Sequence, residues 1–61
     1  MKQLKFISPS DIIVSTINIP DTKLYETMIF NSTGDNIFCR VYNNEPDAIK
    51  WHDYYEKQNN N

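Results

Sequence analysis

A chain of 61 residues with one cysteine (Cys39) and one histidine (His52) cannot build a disulfide or a cysteine–histidine zinc cluster within itself. A domain of this size buries only about 60% of the surface that its unfolded form exposes. Its core is expected to supply roughly 3–5 kcal/mol without a staple. The remaining route to stability is association, so the composition predicts a single domain over 1–61 that forms a homodimer.

Turn-forming residues divide the chain into short segments. Asp11–Ile19 is rich in β-branched residues and stops at Pro20, which reads as a strand followed by a Pro20–Lys23 turn. Leu24–Phe30 and Asn36–Tyr42 read as two further strands. They flank Asn31-Ser32-Thr33-Gly34-Asp35, where the only glycine marks a position of positive φ. If the loop sets Asn31 opposite Asn36, then Leu24, Glu26, Met28 and Phe30 share a face with Ile37, Cys39 and Val41. The other face carries Tyr25, Thr27 and Ile29 with Phe38, Arg40 and Tyr42. A slip of one residue would exchange these sets. Residues 1–10 supply either an N-terminal arm or, through Lys2–Ile7, an extra edge strand.

The last third of the chain reads as a helix. Asn44 fits an N-cap, and Glu45, Pro46 and Asp47 suit a first turn that tolerates proline and favours acids. At 100° per residue, Ala48, Ile49, Trp51, His52 and Tyr55 fall within an arc of roughly 160°. Residues 58–61 are expected to form a frayed polar tail. The predicted fold is therefore α+β: a three-stranded antiparallel sheet, four-stranded if Lys2–Ile7 joins it, followed by one C-terminal helix packed on one face. One helix covers one face, and both faces carry large apolar residues, which is a second argument for self-association or a binding surface.

Charge and length exclude several functions. Six scattered basic residues against eight acidic ones form no stripe suited to nucleic acid. No segment approaches the roughly 20 apolar residues that span a bilayer. The lone cysteine and the early break in the N-terminal apolar stretch predict a cytoplasmic protein. Nothing in the chain calls for a cofactor.

Three residues invite a catalytic reading. His52 could act as a general base with Glu26 as its orienter, and Cys39 as a nucleophile with His52 as its base. The plainer reading makes His52 and Glu26 structural polar groups of the core. His52 would then bond a strand side chain such as Glu26 or Thr27, or the backbone, and Glu26 would pair with Arg40, Lys23 or His52. Cys39 would be a small apolar residue of the sheet. No catalytic constellation emerges, and the reading is non-enzymatic. Tyr25, Tyr42, Tyr54, Phe38 and Arg40 are the candidate interface, because aromatic residues and arginine dominate protein–protein contacts.

Val14-Ser15-Thr16, then Tyr25-Glu26-Thr27-Met28-Ile29-Phe30, then Tyr42-x-Asn44-x-x-Asp47-Ala48-x-x-x-His52 resembles a group of short bacteriophage and prophage proteins. That group runs VST, ETMVF and RYsTxxEAxxxH, and the likeness spans about residues 12–55. The chain departs from the pattern where Val41 separates Arg40 from Tyr42, where Asn44 stands at the usual threonine cap, and in a shorter turn between Ile19 and Leu24. The resemblance implies a phage accessory protein in the cytoplasm of a bacterial host, one that binds and inhibits or modulates a host protein such as a defence component. A structural or regulatory role on phage proteins is the alternative.

Overall fold

The computed structural model describes residues 1–60. Strands β1 (Leu4–Ile7), β2 (Ile13–Asn18), β3 (Tyr25–Phe30) and β4 (Asn36–Tyr42) are followed by helix α1 (Glu45–Gln58). The sheet is an antiparallel meander in the order β1-β2-β3-β4, so the N-terminal segment is an edge strand beside β2 and the fold is α+β. Helix α1 runs through Gln58 and Asn59 caps it, so the expected frayed tail does not include these two residues. Asn61, the last residue of that tail, lies outside the described residues.

Each turn is closed by side-chain bonds to the backbone. After β1, the buried Ser8 hydroxyl accepts from the amides of Ser10 and Ile12 at 3.2 and 3.0 Å, while Asp11 takes a φ of 62°. After β2, the Asn18 amide donates to the Leu24 carbonyl at 2.8 Å. After β3, Asn31 Oδ1 accepts from the amides of Thr33 and Asp35, and Gly34 sits at φ 87°, as the turn chemistry predicts. Register follows: Met28 faces Cys39 and Ile29 faces Phe38, the pairing expected if Asn31 opposed Asn36. The strands depart from it only at the loop end, where a register irregularity sets Phe30 opposite Asn36.

The helix covers the face that carries Thr27, Ile29 and Tyr42. Val14, Ile29, Tyr42 and Ala48 form the buried apolar core, and Val14 and Ala48 are completely inaccessible. Ala48 lets the helix approach the sheet closely because it has nothing beyond Cβ. Ile49, expected in the apolar arc, is 46% exposed. The contact line runs through Ala48 and His52, flanked by the half-buried Trp51, Tyr55 and Glu56, and Ile49 lies one residue step to its side.

Asn44 caps the helix in an extended conformation. Its Oδ1 accepts from the Asp47 amide at 2.9 Å, and its Nδ2 donates to the Asp47 carboxylate at 3.0 Å. Replacing Asn44 with alanine is expected to cost about 1 kcal/mol, read as a lower urea midpoint at unchanged slope.

Candidate functional site

Polar chemistry divides between the two sheet faces. On the helix side, Thr16 and Thr27 face each other across β2 and β3, fully buried. Their hydroxyls are 2.6 Å apart. The Tyr42 hydroxyl donates to Thr27 Oγ1 at 3.0 Å, and Thr16 Oγ1 lies 2.7 Å from His52 Nδ1. The four side chains form one hydrogen-bonded line through the core.

Proton counting orders that line. A hydroxyl has one proton to donate. Only one order lets every hydroxyl proton find an acceptor within the line: Tyr42 donates to Thr27, Thr27 to Thr16, and Thr16 to His52 Nδ1. The imidazole is therefore the terminal acceptor, neutral, with its proton on Nε2, which faces Glu56 Oε2 at 3.8 Å. Burial pushes the His52 pKa below its ordinary value, against the smaller raising effects of Glu56 and Asp53. Burial likewise raises the Tyr42 pKa, more than the Thr27 bond lowers it. His52 is thus a polar core residue as expected, but its partner is Thr16 rather than Glu26 or Thr27.

Glu26 is not in that core. It lies on the opposite face, where its Oε2 accepts from the Cys39 thiol at 3.1 Å. This corrects the expected partners Arg40, Lys23 and His52. Register placed Glu26 and Cys39 together, and the helix then packed on the other face. The hydrogen bond to Glu26, with burial and the carboxylate charge adding to it, pushes the Cys39 thiol pKa up. The thiol is held protonated, the reverse of what a nucleophile needs. The sheet lies between His52 and the Cys39–Glu26 pair. The three residues therefore do not form one site.

The aromatic residues separate in the same way. Tyr42, one of the candidate interface residues, is only 5% exposed and its hydroxyl is committed to Thr27. The remainder gather along β4 and the helix. Arg40 lies 4.0 Å from the Trp51 ring centroid and donates to the Tyr55 hydroxyl at 3.2 Å. Phe38 packs on Tyr55 with centroids 4.9 Å apart, and Trp51 meets Tyr54 edge-on at 5.3 Å. Tyr54 is 47% exposed. Tyr25 stands apart, half-buried, with its hydroxyl 3.5 Å from Glu45. Trp51 and Tyr55, placed by the sequence in the helix's apolar arc, belong to this cluster as much as Phe38 and Arg40 do. Their i, i+4 spacing was the available signal.

Among the described residues, no helix is long and apolar enough to cross a membrane, and no group of three metal-ligating side chains gathers. No family model, curated protein or solved structure compared with the chain matches it.

Proposed function

We propose that this chain is a non-enzymatic protein-binding module that recognises its target with the Arg40–Trp51–Tyr54–Tyr55 cluster. The cluster's geometry carries the reading. Tyrosine, tryptophan and arginine supply most of the binding energy at protein interfaces. Here they are pre-ordered on a strand and a helix by stacking and by the Arg40–Tyr55 bond, which lowers the entropy lost on docking. The resemblance to small phage and prophage proteins supports a host protein as target, with inhibition or modulation as the outcome. A phage protein as target is the second possibility, and the same experiment separates the two.

The test is recovery of a partner on a tagged copy, identification of that partner, and titration of the two purified proteins. Tyr54 is exposed, and Tyr54→Ala is expected to weaken the complex by about 2 kcal/mol, roughly thirtyfold, with little change in melting temperature. A purified complex that ignores both Tyr54→Ala and Arg40→Ala would contradict this assignment.

A further inference from the structure

Among the described residues, nothing packs on the sheet face away from the helix. Ile7, Ile37 and Val41 are 55%, 56% and 51% exposed there, beside Met28 and Ile17. We propose that this face is a homodimer interface, in which two copies pack sheet to sheet about a two-fold axis that runs along the strands between β2 and β3. This goes beyond the target-binding cluster, which lies on the helix side.

Three observations choose a second copy as the occupant. The first is shape. The face is an open four-stranded sheet surface, and no pocket indents the described residues to receive an inserted segment. Sheet faces pack on sheet faces about 10 Å apart with their strands nearly aligned. The second is size. A standard interface takes about 800 Å² from each partner, about a fifth of the 4149 Å² that this chain exposes. Four strands about 4.8 Å apart and about 20 Å long give a projected area on the order of 400 Å², and side-chain relief raises the accessible area above that. A partner must span all four strands to approach the standard size.

Charge is the third observation, and it fixes the axis. The strand register gives this face one cation, Lys5 on β1, and one anion, Glu26 on β3. Lys5, Ser15, Met28 and Cys39 form one row across the sheet. A two-fold axis along the strands lays β1 over the partner's β4, so Lys5 comes over the partner's Cys39. The Glu26 carboxylate already leans to that spot, 3.1 Å from the thiol. Each Lys5 therefore meets the partner's Glu26, and the pairing occurs twice. The face is neutral and complementary to its own copy.

Light scattering and sedimentation equilibrium across the micromolar range test this. The unmodified chain is expected at twice its 7.2 kDa mass. Lys5→Glu and Glu26→Lys are each expected to raise the dissociation constant by at least about tenfold, since each sets two like-charged pairs across the interface. Mixing the two variants regenerates both attractive pairs in a heterodimer, so the mixture is expected to return to nearly the unmodified affinity. Met28→Lys, at the centre of the face, is expected to give one-chain mass with an unchanged helix signal. A one-chain mass for the unmodified protein at high micromolar concentration would overturn the proposal. So would single variants as tight as the parent, or a mixture no tighter than its components. Tyr54→Ala leaves the mass unchanged under this account, which keeps failure here distinct from failure of the target-binding assignment.

Discussion

Thr27→Val is expected to remove most of the stability of this domain. The substitution keeps shape and volume, so its effect isolates the hydroxyl. Thr27 is the middle of the buried line, accepting from Tyr42 and bonded to Thr16. Removing it leaves the Tyr42 hydroxyl without its acceptor and the Thr16 oxygen without its donor. A buried polar group left unpaired costs about 1–3 kcal/mol. Against the roughly 3–5 kcal/mol available to a small unstapled core, the loss places the chain near its unfolding midpoint. Denaturant unfolding by tryptophan fluorescence measures it directly. The same logic predicts that Thr16→Val, Thr27→Val, Tyr42→Phe and His52→Leu together recover much of the loss, because no unpaired group remains. If the fourfold variant is no more stable than Thr27→Val alone, the cost lies in packing rather than in orphaned hydrogen bonds.

Acid is expected to destabilise the fold through His52. Its folded pKa lies below the ordinary 6.5, mainly because of burial. The unfolded chain therefore takes up a proton first as the pH falls. Stability is fully present above the unfolded pKa, declines as the pH drops below it, and levels off below the folded pKa. The hydrogen-bonded line strengthens the effect. A protonated imidazole must donate from Nδ1, so the Thr16–Thr27 bond would reverse and one hydroxyl proton of the line would be left without an acceptor. The charged groups near the ring, Glu56 and Asp53, belong to its own helix and oppose the shift; the sheet presents only Thr16, with Thr27 and Tyr42 behind it. Each unit of separation between the two pKa values contributes about 1.4 kcal/mol. Unfolding free energies measured from pH 8 to pH 5 are expected to fall with the pH, and His52→Gln is expected to flatten the profile. A His52→Gln profile as steep as the parent would assign the acid sensitivity to other groups.

Much of this architecture was legible in the chain because local chemistry decided it. Gly34 and Asn31 close the β3–β4 hairpin, and that turn sets which residues share a face. Asn44, Pro46 and Asp47 mark where the helix begins. The Thr16–Thr27 contact was not legible, because it depends on the β2–β3 register. That register is set by a turn in which Asp21 adopts a φ of 63° without any glycine to signal it. The alternation of side chains placed Glu26 with Cys39 and Thr27 with Tyr42, but alternation cannot say which face the helix takes. His52 was therefore readable as a buried polar residue while its partner was not. Arg40 was legible as an interface residue, but its stacking on Trp51 depends on the crossing of helix and strand.

His52 is the last acceptor of a buried hydrogen-bonded line, which commits the one imidazole to the core. A long-range proton–nitrogen NMR spectrum of the labelled protein at pH 7 observes this directly. The expected spectrum is that of a single neutral imidazole with its proton on Nε2, an unprotonated Nδ1, and a titration displaced below the ordinary histidine range. A proton on Nδ1, or an averaged ring that titrates like a free histidine, would contradict it.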